Sequence, residues 1–213
     1  MFMSCNVAFS SMPVFLPTII KDMGYSSIHA QALSAPPYLV AFIVVILTAY
    51  YSDRYQTRAY PIIFHALLAA TGYLILAISG YVKSENVMIR YMALYPAISG
   101  FFSAITIIIT WNINNQDSDS KKGTGMAILN LIGQLGPLIG IRMFPDEDSP
   151  WYTNGMFVCA TYMFCVAILA GGLRLWLAVH NWRLREEAID YAGLPVEEGG
   201  SRPAGWKTFQ YIL

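Results

Sequence analysis

Apolar residues in this chain come in six long runs with little polar sequence between them, at roughly 1–20, 36–52, 60–82, 88–113, 123–143 and 154–180. A bilayer core about 30 Å thick takes about 20 helical residues to cross. Inside hydrocarbon a segment has to satisfy its own backbone N–H and C=O groups, so helix is the expected structure of each run. The pattern predicts an all-α polytopic membrane protein with six transmembrane helices over 1–180. A cytoplasmic tail over 181–213 is expected to follow, amphipathic to about Tyr191 and then disordered, because it is polar and rich in Gly and Pro.

Individual runs carry further signals. The first contains Pro13 and Pro17 with Asn6, Ser10 and Ser11, and opens without a basic lead or a cleavage-site pattern, so it reads as a span and not as a targeting peptide. After a link over Lys21–Ala35, Pro36-Pro37 fits the start of the second helix. Small residues recur at helical spacing in the third run (Ala66, Ala70, Gly72, Ala77, Gly80) and the fourth (Ser99, Gly100, Ser103, Ala104). Such stripes let membrane helices approach closely. The fifth run adds Gly136-x-x-x-Gly140 beside Asn130, Gln134 and Pro137.

Composition agrees with this class: 56% of the residues are hydrophobic and 12% charged, against about 25% charged in soluble domains. The net charge of zero gives no sign of a nucleic-acid partner. Alternate loops hold Arg54, Arg58, Lys121, Lys122, Arg183, Arg185, Arg202 and Lys207 on one side, and Lys21, Lys83, Arg90 and Arg142 on the other. Positive residues gather on the cytoplasmic side, so both termini are expected there. Cys5, Cys159 and Cys165 fall within the runs, show no C-x-x-C spacing, and read as small apolar residues.

Polar groups inside spans are the candidates for function. Asn130 and Gln134 are four residues apart and share a helix face. Facing a cavity they offer amide donors and acceptors to a small polar ligand; facing a neighbouring helix they hydrogen-bond it. Asn6 poses the same choice. His65 lies near the cytoplasmic boundary, where a bond to a loop is favoured over a proton relay. No two histidines share a predicted helix face, and no Ser-His-acid, H-E-x-x-H or phosphate-binding glycine pattern occurs. No cofactor or metal is therefore expected, and an enzyme is disfavoured. In Ser52-Asp53-Arg54-Tyr55-Gln56-Thr57-Arg58, acid and base stand at a helix end with a second Arg four residues on, a set able to bond helix termini.

Several blocks together resemble the second half of fungal major facilitator transporters. Phe15-Leu16-Pro17-Thr18-Ile19-Ile20 with Met23-Gly24-Tyr25, then Ala30-Gln31-Ala32-Leu33-Ser34-Ala35-Pro36-Pro37-Tyr38, is similar to the seventh helix, loop and eighth-helix start of the anion:cation symporter group that includes nicotinate- and allantoate-type permeases. Asp53-Arg54 with Arg58 resembles the second copy of the superfamily's D-R-x-G-R loop, with Gln56-Thr57 where that pattern has glycine. Lys121-Lys122-Gly123-Thr124-Gly125, Gly133-Gln134-Leu135-Gly136-Pro137 and Asp148-Ser149-Pro150-Trp151-Tyr152 resemble the eleventh helix and its outer loop.

The resemblance implies one six-helix half of a twelve-helix carrier, whose site lies between two halves near the midplane. It places Asn6, Asn130, Gln134 and, more weakly, Tyr95 along a central cavity. It implies a small organic anion as solute, coupled protons, a plasma-membrane setting, and a complementary six-helix half or second copy as partner besides the bilayer. It also expects Asp53 to lack its usual partner, which the other half would supply. The alternatives are a membrane interaction or regulatory protein that kept the fold and lost transport, or a truncated gene product inactive on its own.

Overall fold

The structure is a computed structural model that describes residues 1–192 and 210–213. Seven α-helices and one 3-10 turn are present among them: α1 (Phe2–Asp22), α2 (Ser27–Tyr55), α3 (Ala59–Tyr81), α4 (Val87–Asn114), α5 (Asp119–Gly133), α6 (Leu135–Gly140) and α7 (Thr153–Ala192), with the 3-10 turn at Asp146–Asp148. Among the described residues, α2, α3, α4 and the Thr153–Glu186 part of α7 are long and apolar enough to cross a membrane. The tail expected beyond Tyr191 lies mostly outside the described residues, but α7 runs unbroken to Ala192 and residues 210–213 lie back against the body.

Two boundaries differ from the expectation, and both involve proline. The second helix starts at Ser27, where the Ser26 hydroxyl caps it by accepting from the His29 amide at 3.4 Å. Pro36 and Pro37 therefore sit inside α2. Pro37 has no N–H to give the carbonyl four residues back. That carbonyl, on Leu33, accepts instead from the Tyr91 hydroxyl of α4 at 2.9 Å. The fifth run is two pieces, α5 and α6, joined at Gln134. Here Pro137 cannot donate to the Gly133 carbonyl. The Asn6 amide of α1 donates to it instead, at 3.2 Å.

Close packing follows the small residues. α3 lies between α4 and α7, α2 packs on α4, and α1 crosses the bundle touching α2, α4, α5, α6 and α7. A Cβ built on Gly72 would stand 2.6 Å from the Ala97 amide nitrogen, and one on Gly100 2.6 Å from that of Ala69. Only glycine lets α3 and α4 approach this closely. Likewise a Cβ on Gly136 would stand 2.6 Å from the Met3 carbonyl oxygen of α1. The core between these helices holds Leu16, Ile62, Tyr73, Leu94, Ile98, Phe101, Met156 and Met163. In lipid such contacts act through van der Waals packing, since the tails are as apolar as the side chains.

Outward faces are apolar: Leu39, Phe42, Ile43 and Ile46 on α2, and Ile168, Leu175 and Trp176 on α7. Arg174 within α7 lays its guanidinium over the Tyr60 ring, 4.3 Å from the centroid.

The opposite ends of the bundle are tied by different devices. At one end, Arg90 Nη2 donates to the Pro150 carbonyl at 2.8 Å and the guanidinium stacks over Trp151, while Asp22 accepts from Ser149 and Tyr152. The other end carries the Ser52–Arg58 loop.

Candidate functional site

Arg58 organises the loop that the sequence singled out. It caps α3 just after the left-handed turn at Gln56 (φ 50) that ends α2. Its guanidinium is nearly buried. Nη1 meets Asp53 Oδ1 at 2.6 Å and donates to Ser52 Oγ at 2.7 Å. The Ser52 hydroxyl in turn donates to the Thr57 carbonyl at 2.7 Å. With the Asn114 amide oriented by this network, its oxygen accepts from Arg58 Nε and Nη2 at 3.2 and 2.8 Å. Asp53 thus has a partner within this chain, where the resemblance implied that it would lack one. Because Asp53 is 65% exposed, the ion pair itself is worth about 0.2–1 kcal/mol. The buried guanidinium and its several bonds hold the loop more than that pair does. Arg54 is exposed in the last turn of α2, where its charge suits the carbonyl end of the helix.

The four residues expected to line a cavity lie in different settings. Asn6 is buried at the joint of α1 with α5 and α6, where its amide replaces the hydrogen bond that Pro137 cannot make. Asn130 and Gln134 are both exposed. Asn130 Nδ2 donates back to the Met126 carbonyl at 3.0 Å, and Gln134 caps the end of α5. Tyr95 is half-buried in α4 and donates to the Tyr91 hydroxyl at 3.2 Å, the rings meeting edge to face at 5.5 Å between centroids. Asn6 therefore meets the α5–α6 joint beside Gln134, whereas Tyr95 belongs to the pair that repairs α2 at Pro37.

Among the described residues, two of the clefts that open on the surface bear on the site. One, of about 350 Å³, lies between α1, α4 and α5 and includes Phe2, Asn112, Gly125 and Leu129. Asn112 Nδ2 is buried there without a hydrogen-bond partner. The other, of about 420 Å³, lies between α2 and α3 and is lined by Thr48, Tyr51, Tyr55, Tyr60, Phe64 and His65 among others. Neither is lined by Asn6, Tyr95, Asn130 or Gln134. His65 bonds not to a loop, as expected, but to Thr48 of α2 at 2.7 Å. The Thr48 hydroxyl donates its hydrogen to the Val44 carbonyl at 2.7 Å, so the imidazole Nε2–H is the donor of the pair.

Sequence reasoning missed the asparagines at the end of α4. Asn114 accepts from Arg58, and Asn115 bonds Ile212 through both its oxygen and its nitrogen. The available signal was the polar run Asn112-Ile113-Asn114-Asn115-Gln116, closing an otherwise apolar helix. Among the described residues no group of three or more His, Cys, Asp or Glu stands close enough to hold a metal ion.

Long apolar helices joined by short polar loops, with glycine-mediated crossings, define an integral multi-pass membrane protein. The Major Facilitator Superfamily model matches residues 1–141, and the chain belongs to that family. It is 31% identical over 195 residues to "MFS transporter prlL" of Fungal sp. (strain NRRL 50135), an alignment spanning 91% of this chain and 39% of that protein. It is 28% identical over 189 residues to "MFS-type transporter cnsO" of Penicillium expansum, covering 88% of this chain and 35% of the relative. The "High-affinity nicotinic acid transporter" of Saccharomyces cerevisiae is 27% identical over 151 residues, 71% of this chain and 27% of that protein. The chain thus spans well under half the length of these relatives. No solved structure matches it.

Proposed function

We propose that this chain forms the later six-helix half of a transporter for small organic anions of the nicotinate or allantoate kind, carried together with protons across the plasma membrane. In this reading α5 and α6 together make the fifth of six spans, both termini face the cytoplasm, and the working cavity needs a second six-helix unit. One observation carries the reading: α5 and its joint with α6 offer a long uncovered face on which polar Asn130 and Gln134 stand beside Leu131 and Leu135. Among the described residues of α5 only Gly133 is buried. The Asn130 amide bonds back to the Met126 carbonyl, but an amide such as that of Gln134, left to face hydrocarbon without a partner, costs about 1–3 kcal/mol. A face of this composition therefore suits water or protein in place of lipid tails. The relative that acts on nicotinic acid, by its name, supplies the solute class.

The test is uptake of labelled nicotinate and allantoate by cells that lack their own carriers. The chain alone is expected to give none; the chain expressed with a first six-helix half from a relative is expected to give uptake that a protonophore abolishes. Membrane-inserted, assembled pairs that move neither solute would support the alternative of a non-transporting interaction protein.

A further inference from the structure

Residues 210–213 lie against the end of the bundle that bears the Ser52–Arg58 loop, and their main chain is held almost entirely by side chains. Asn181 of α7 accepts from the Tyr211 N–H at 2.9 Å and donates to the Tyr211 carbonyl at 2.8 Å. Asn115, just past α4, repeats this with the next residue, accepting from the Ile212 N–H at 2.8 Å and donating to its carbonyl at 3.2 Å. The Trp111 indole donates to the same carbonyl at 2.7 Å, and the Arg58 amide donates to the Leu213 carbonyl at 2.6 Å.

This is the hydrogen-bond logic of a β-strand supplied by helices. In extended chain, the N–H and C=O of one residue point to one side and those of the next residue to the other. An asparagine amide presents one acceptor and a donor pair side by side, which matches one residue's N–H and C=O. Placing one asparagine on α7 and another by α4 therefore grips consecutive residues from opposite sides. Trp111 and Asn181 are both buried. Tyr211 adds a ring contact to His180, which itself stacks on Trp176. The side chain of Ile212 takes no part in these bonds, so the grip reads the main chain and not the residue type.

We propose that Trp111, Asn115, Asn181 and the Arg58 amide form a binding seat for an extended peptide, filled here by the chain's own residues 210–213, and that filling it holds the Asp53–Arg58 loop to the ends of α4 and α7. Arg58 links the two parts directly: its amide holds Leu213 while its guanidinium holds Ser52, Asp53 and Asn114. Emptying the seat frees that loop. The seat does not depend on which solute, if any, the chain carries.

Amide hydrogen exchange over residues 52–58, read on the whole chain in detergent, tests this. Ile212→Pro removes the N–H that Asn115 accepts, whereas Ile212→Ala keeps the main chain intact. Exchange is expected to rise at least about fivefold in Ile212→Pro and in the Asn115→Ala/Asn181→Ala pair, and to stay within about twofold in Ile212→Ala. Acetyl-Gln-Tyr-Ile-Leu added in millimolar excess is expected to restore protection to Ile212→Pro but not to the asparagine pair. Equal exchange in the proline and alanine variants would overturn main-chain recognition. Failure of the peptide to protect Ile212→Pro would overturn the seat as a binding site.

Discussion

α3 and α5 are both apolar helices punctuated by glycine, yet they end in opposite settings. α3 is enclosed between α4 and α7, with Ala59, Ile62, Ala66, Ala69, Ala70, Gly72, Tyr73, Leu76 and Ala77 among its buried residues. α5 touches α1 and α4 along one edge and leaves Ile128, Leu131 and Ile132 at least half exposed. The difference lies in what accompanies the glycines. On α3 and α4 the neighbours are Ala and Ser, so a whole helix face comes close to another helix. On α5 and α6, Gly133 and Gly136 serve the crossing with α1, Gly125 faces Asn112 of α4 and Gln116 beyond it, and the remaining face mixes leucine with amides. A face of the first kind is covered by its own chain; the second is not, and in the function proposed above a second six-helix unit would cover it.

The contrast can be broken at its strong point. Gly100→Leu forces a side chain into the backbone of α3 and is expected to lower stability by about 1–3 kcal/mol or to prevent folding. Gly123→Leu, where a Cβ meets nothing within 4 Å, is expected to change it by less than about 0.5 kcal/mol. Unfolding of both variants by denaturing detergent reads the difference. Next in size is the repair at the α5–α6 joint. Asn6→Leu leaves the Gly133 carbonyl unpaired, for a loss of about 1–2 kcal/mol. Adding Pro137→Ala returns a backbone N–H and is expected to recover much of that loss, a coupling that a double-mutant cycle measures.

Smaller effects follow on the open face. Asn130→Leu and Gln134→Leu are expected to alter stability by less than about 0.5 kcal/mol while reducing uptake by the assembled pair, because both side chains are exposed. Uptake unchanged by either would take them off the transport path. The smallest effect is at the entry to α5. Lys121 donates to Asp117 at 2.9 Å, and this bond holds the Asp117 carboxyl below its ordinary range. A depressed folded-state value contributes stability present above the unfolded value, lost as pH falls through the folded one. Lys121→Met is expected to raise the Asp117 titration toward 3.8, followed by carboxyl NMR.

Much of this architecture was legible in the sequence because it rests on local rules. Apolar run length marked α2, α3, α4 and α7, and the small-residue stripes marked the α3–α4 crossing at Gly72 and Gly100. Asp53 and Arg58 stood out because acid and base at adjoining helix ends meet across a short loop. The roles of Pro37 and Pro137 were not legible. Whether a proline begins, breaks or sits within a helix depends on who supplies the missing donor, and the donors, Tyr91 and Asn6, come from other helices. The same holds for Asn115 and Asn181, whose partners lie 97 and 30 residues away along the chain. Side chains that serve distant backbone leave no local pattern.

Thiol labelling reads directly whether the open face of α5 meets water or hydrocarbon. Gln134→Cys and Leu175→Cys, each in a Cys165→Ser background, would be treated with a membrane-impermeant maleimide in cells that also express a first six-helix half. If α5 borders the proposed crevice, labelling is expected to be rapid at position 134 and absent at 175, an exposed apolar position of α7 that would meet lipid. Equal protection of both positions would show that α5 faces hydrocarbon, and would contradict the proposed crevice.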